Sequence, residues 1–219
     1  MQSVTDSRDQ RPGVTAAIAA ERRELADLFD ALPADDWNAP SLCAGWTVRE
    51  VVAHMSMGFR LSLPATLGEL LKARGSLHRM TDRVARRDAA AHTTAQLSAY
   101  LRDNAHHPWT PPVGGLPAAL GHDVVHGLDV TTALGLDRRV PEDRLRILLD
   151  DIKPRGLKFF GVDLTGVRLC AEDTDWSYGS GAAPVYGAAQ DLLLLAFGRR
   201  LPPGRLRGDA AGRFTAERG

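Results

Sequence analysis

Up to about residue 160 the apolar residues of this chain recur at intervals of three and four; beyond Gly161 they alternate. A period near 3.6 buries one stripe of a helix, and a period of two buries one face of a strand. The switch therefore restricts the chain to a helical bundle followed by a small mixed unit. The spacing predicts a first helix over about 14–32, carried by Ile18, Leu25, Leu28 and Phe29 and stopped by Pro33. A loop follows to Gly45. Thr47-Val48-Arg49-Glu50 then has the form of a capping box, opening a helix with Val48, Val52, Met55 and Phe59 as its stripe. That helix runs to about Arg60, and Pro64 kinks or ends it. An amphipathic, arginine-rich segment covers about 67–87, and another helix about 94–105. Pro108 to Gly115 reads as a rigid loop before a helix over about 117–134. Pro141 opens one more helix, to about Phe160, disturbed at Pro154. Strands are expected at 167–171, at 175–178 and around Val185 and Tyr186, with a compact apolar helix over 187–197. Closing strands are expected at 205–207 and 213–215. The fold class is thus mainly α, a four-helix bundle over 14–160 and a small α+β domain over 161–219. The polar first fifteen residues are expected to be frayed.

Composition removes several function classes. Lys plus Arg is 27 and Asp plus Glu is 27, so no net basic field attracts nucleic acid. No apolar run approaches the roughly 18 residues of a membrane span. The polar stretch from Met1 to Pro12 has no signal-peptide core, which makes a cytoplasmic location the expectation. Zero net charge allows self-association, and a homodimer is one candidate state. The two cysteines, Cys43 and Cys170, form no CxxC and are read as thiols, Cys43 as a packing residue. Nearly all cations are arginine, a compositional bias that by itself says nothing about phosphate recognition.

The chemistry concentrates in histidine. His122 and His126 stand four apart in one predicted helix and so project from one face. His54 flanks the apolar stripe of another helix. Two ligands at i and i+4 plus one from a neighbouring helix build a metal site in a bundle, and three neutral imidazoles leave a coordination position open. Ala119 and Ala133 share the face of the pair and leave room for a ligand. Asp123 and Asp129 flank it; Asp129 is either an acceptor that fixes a ring tautomer or a solvated surface acid. His106 and His107 read as exposed, and His78 and His92 have no partners. Neither HExxH, GxSxG nor GxGxxG occurs, so metalloprotease, elbow hydrolase and dinucleotide readings find no support.

Ser41 to His54, with Cys43-Ala44-Gly45-Trp46-Thr47-Val48-Arg49-Glu50 at its centre, resembles the signature that opens the second helix of the mycothiol-dependent maleylpyruvate isomerase family. Gly121-His122-Asp123-Val124-Val125-His126-Gly127-Leu128-Asp129-Val130 resembles its second signature. The tail from Asp175-Trp176-Ser177 through Gly187 to Gly208-Asp209 resembles its small C-terminal domain more weakly. The resemblance implies a DinB-like four-helix bundle that binds a divalent metal, usually zinc, and maps the ligands onto His54, His122 and His126. It also implies mycothiol as cosubstrate and a C-terminal arginine at the active site, with Arg205 and Arg207 as candidates beside Arg199 and Arg200. The chain departs from the family's isomerase in one respect. That enzyme has a Glu-x-x-x-His pair where this chain has His122 and His126. The swap makes the site one negative charge more positive, so maleylpyruvate does not follow as the substrate.

A free thiol of pKa about 8.5 is mostly protonated at neutral pH, and a divalent cation converts it to a thiolate. The first reading is therefore a metal-dependent enzyme that isomerises a small electrophile, or transfers sulfur to it, with a low-molecular-weight thiol. The second is a metal-dependent enzyme that activates water without a thiol. The third is a metal-binding module without catalysis. Trp46 and Trp109 are candidate pocket walls, with core packing the alternative for Trp46.

Overall fold

The computed structural model describes residues 11–217. The expected fraying lies, up to residue 10, outside the described residues; Arg11 is already helical. The chain is mainly α with a small mixed sheet near its C-terminus, and it forms two compact units, one ending at Leu136 and the other beginning at Asp137.

The first unit holds α1 (Arg11–Asp30), α2 (Val48–Arg60), α3 (Leu63–Lys72), α4 (Leu77–Ala91), α5 (Thr94–Asp103) and α6 (Gly115–Ala133). α1 packs on α5 and α6, and α2 packs on α4, α5 and α6. Four rods, α1, α2, α5 and α6, thus make the bundle, with α4 laid against α2. Leu25, Phe29, Val48, Val52, Met55, Leu97, Leu101 and Val130 are buried together at its centre. Trp37, on a 3-10 turn over Ala34–Asn38, joins them edge-on to Phe29. α2 starts where the capping box places it. The Glu50 carboxylate accepts from the Thr47 amide at 2.7 Å and from its hydroxyl at 3.1 Å. α6 is buried on almost every side, as a rod between two neighbours must be. The single segment expected over 67–87 is two helices, α3 and α4. Arg74 (φ 53°) and Gly75 (φ 75°) adopt the left-handed conformation and break the rod, a change of direction that periodicity does not register.

The second unit holds α7 (Glu142–Asp150), α8 (Pro154–Phe159), β1 (Val167–Ala171), β2 (Ser177–Tyr178), β3 (Ala183–Gly187), α9 (Ala189–Ala196) and β4 (Leu206–Arg207). The sheet order is β2-β1-β3-β4; β1 and β3 are parallel, and both edge strands are antiparallel. Val167, Leu169 and Val185 point inward, and α9 covers them with Leu192 to Leu195. The helix expected from Pro141 to Phe160 is divided because Lys153, which precedes Pro154, is extended. The strand expected at 213–215 is instead a 3-10 turn, Ala211–Phe214, with Ala211 and Phe214 both buried at a spacing of three. Only Thr215 bridges, to Leu201. The compact units divide at 136/137, whereas the change of texture used to draw the boundary falls at 160. α7 packs on α9 in the second unit, and helical spacing alone does not say which core a helix serves. Among the described residues no helix is long and apolar enough to cross a membrane.

Candidate metal centre

α2 and α6 pack side by side and bring His54 against His122 and His126. The three ring centroids are 5.0 Å apart for His54–His122, 4.9 Å for His54–His126 and 4.9 Å for His122–His126. One nitrogen from each ring lies within 4.8 Å of the others. His122 Nε2 and His54 Nε2 are 3.3 Å apart. Two nitrogens bound at about 2.0–2.1 Å with a tetrahedral angle between them stand about 3.3 Å apart, so this pair already has the separation that a zinc-type ion requires.

Each histidine of α6 is aimed by a carboxylate. His122 Nδ1–H donates to Asp123 Oδ1 at 3.0 Å, and His126 Nδ1–H to Asp129 Oδ2 at 2.9 Å. Both carboxylates are fully buried and both rings are 12% exposed, so Asp129 is no solvated surface acid. Holding the proton on Nδ1 leaves the Nε2 lone pair for a cation. Asp123 in turn accepts from Arg22 Nε at 2.8 Å, and this pair is completely buried. Arg22 Nη1 also donates to the carbonyls of Asn104, Ala105 and His107, and its guanidinium lies 4.5 Å over the Phe59 ring. A chain of contacts thus runs from the α5–α6 loop through α1 to the ring of His122.

Two indoles flank the imidazoles. Trp46 stands 5.0 Å from His54 and Trp109 5.2 Å from His122, centroid to centroid. Trp46 Nε1 donates to Asp82 at 2.8 Å, which fixes the ring. Trp109 lies across Gly58, where an added Cβ would meet the indole at 2.3 Å; only glycine lets the ring approach that closely.

Arg22, Asp123 and Cys43 escaped the reading of the sequence as site residues. Arg22 falls on the apolar stripe Ile18-Arg22-Leu25-Phe29, and Asp123 stands between Leu120 and Val124-Val125, all of them buried. A charge on a buried face is the signal that points to a buried partner. Cys43, read as packing, does pack on the bundle core, but its Sγ also lies within 4.8 Å of ligand atoms of His126 and Asp129.

The candidate arginines belong to the second unit. Arg205 forms a two-donor contact with Asp191 Oδ1 at 2.7 and 3.2 Å, and burial pushes the Asp191 carboxyl up even against that cation. Arg205 and Asp191 line a cavity of about 450 Å³ within the unit, together with Arg139, Trp176 and Gln190. Arg207 pairs with Glu172, Arg199 donates to the Phe197 carbonyl, and Arg200 to the carbonyls of Thr215 and Arg213.

Residues 18–131 match the family described as the mycothiol maleylpyruvate isomerase N-terminal domain, a span that contains all three histidines. Two uncharacterized proteins of Mycobacterium tuberculosis are each 28% identical to the chain, over 84% of its length and 84% of theirs. A crystal structure of the mycothiol-dependent maleylpyruvate isomerase is similar at 16% identity and a TM-score of 0.49, covering 93% of each chain. A crystal structure of a mutant of that isomerase is similar at 15% identity with the same TM-score.

Proposed function

The chain belongs to the mycothiol maleylpyruvate isomerase N-terminal domain family, and on that premise we propose that it is a divalent-metal-dependent enzyme using a mycothiol-type thiol. Its reaction on this reading is isomerisation of, or sulfur transfer to, a small electrophile. The convergence of His54, His122 and His126 on one point carries the proposal. The donor set fits a zinc-type ion: three imidazole nitrogens within 4.8 Å of one another would hold it and leave a position for a ligand.

When bound there, such an ion supplies the Lewis acidity that turns a coordinated thiol into a thiolate at neutral pH, the nucleophile for a conjugated double bond or other electrophilic carbon. The rest is done by the chain. Asp123 and Asp129 keep a proton on Nδ1 of His122 and His126 and hold both rings in register. Arg22 neutralises Asp123, so the carboxylate orients His122 without adding net charge beside it. Three imidazoles leave the full charge of a dication uncompensated by its ligands, which favours an anionic thiolate there. Trp46 and Trp109 wall the site with apolar surface and exclude water from the sulfur.

A thermal-shift titration of the zinc-loaded protein with mycothiol tests the proposal. Mycothiol is expected to raise Tm, by the equivalent of about 2.7 kcal/mol at a hundred times its dissociation constant. The His126→Ala variant is expected not to respond. An unchanged Tm across the titration of the loaded protein would rule out the thiol.

A further inference from the structure

His126 belongs to two groups of ligand atoms. One is the three-histidine cluster. In the other, Cys43 Sγ, a ring nitrogen of His126 and a carboxylate oxygen of Asp129 are all within 4.8 Å of one another. The loop that carries Cys43 is fastened to α6 at this point, since the Leu42 amide donates to the Asp129 carbonyl at 3.0 Å. The loop is also closed on itself. Ser41 Oγ accepts from the Cys43 amide at 3.1 Å and donates to the Trp46 carbonyl at 2.9 Å, while the Trp46 amide donates to the Cys43 carbonyl at 3.0 Å. Cys43 is thereby held beside the His126–Asp129 pair by backbone hydrogen bonds.

We propose that Cys43, His126 and Asp129 form a second cation position, selective for thiophilic divalent ions such as cadmium and alternative to the three-histidine position. Thiolate, imidazole and carboxylate make a three-ligand set with one position open, and the soft sulfur sets its preference. A neutral imidazole has one lone pair, so His126 serves one ion at a time and the two positions exclude each other. They differ in charge: an ion held by three imidazoles keeps its full double charge, whereas a thiolate and a carboxylate cancel it. An ion in the second position also takes Asp129 from its task of orienting His126. The second position therefore leaves its ion with less net charge to acidify an external thiol than the three-histidine position does, and its occupation withdraws His126 from that position.

Cadmium titration of the full chain, followed by the ultraviolet thiolate-to-cadmium charge-transfer absorption, tests this independently of any thiol cosubstrate. The band is expected to saturate at one ion per chain in the wild type and in Cys170→Ser, to vanish in Cys43→Ser, and to persist in His54→Ala, which lacks only the first position. No band in the wild type, or a band that survives in Cys43→Ser, would overturn the proposal. Alkylation of the wild-type protein reports on the same site without any substitution. Cadmium is expected to protect the Cys43 peptide from iodoacetamide and to leave the Cys170 peptide unprotected, and equal alkylation of Cys43 with and without cadmium would count against the site.

Discussion

At the scale of single residues, the candidate site rests on a buried charge pair set behind His122. Asp123 is shared between Arg22 and His122, so Asp123→Asn is expected to do two things. It leaves the Arg22 guanidinium buried and uncompensated, a loss of about 3–5 kcal/mol that urea unfolding would register. It also frees the His122 ring, lowering zinc affinity about 10–100-fold in a competition titration with a chelator. A variant that unfolds like the wild type would show that the pair is not the anchor described here. Gly58→Ala acts on the wall instead. Its new methyl group would occupy the place of the Trp109 indole, so weaker mycothiol binding with unchanged zinc content is expected. His122 and His126 could be assigned to one face from their spacing, because a helix fixes that relation locally. The link between Arg22 and Asp123 spans 101 positions and becomes visible only when α1 meets α6.

At the scale of elements, the start of α2 was legible because a capping box is a local arrangement of side chain and backbone. Thr47→Ala is expected to cost about 0.5–2 kcal/mol in urea unfolding, most of it from fraying next to the helix that presents His54. The division into α3 and α4 was not legible, since it turns on the backbone at Arg74 and Gly75. The two helices are joined by ion pairs from Glu69 of α3 to Arg87 at 3.3 Å and to Arg83 of α4, while Lys72 contacts the same carboxylate at 2.9 Å from within α3. The hydrogen bond from Lys72 holds its carboxyl below the usual range, with Arg83 acting in the same sense. A carboxyl lowered in the folded state stabilises above its unfolded pKa, and that contribution disappears as pH falls through the lowered value. Urea midpoints of Glu69→Gln and wild type are thus expected to differ at neutral pH and to converge in acid. A gap that stays constant down to acid pH would exclude the ionised carboxylate as its cause.

At the scale of the whole molecule, the switch of hydrophobic period announced a bundle and a mixed sheet, and the chain has both. The limit between the compact units was not readable, because α7 and α8 have helical spacing yet lie in the unit of the sheet. Phe214 shows the same ambiguity at short range: it falls in the strand expected at 213–215, yet it is buried with Ala211, three positions earlier, in a 3-10 turn. The candidate metal centre stands between these cases: each histidine could be named from sequence, but the meeting of α2 with α6 belongs to the tertiary fold. That meeting is the central claim, and elemental analysis of zinc-loaded, desalted protein tests it most directly. One zinc per chain is expected in the wild type and none in His126→Ala, which removes the ligand common to both groups; a wild type without zinc, or a His126→Ala variant that keeps a full equivalent, would contradict it.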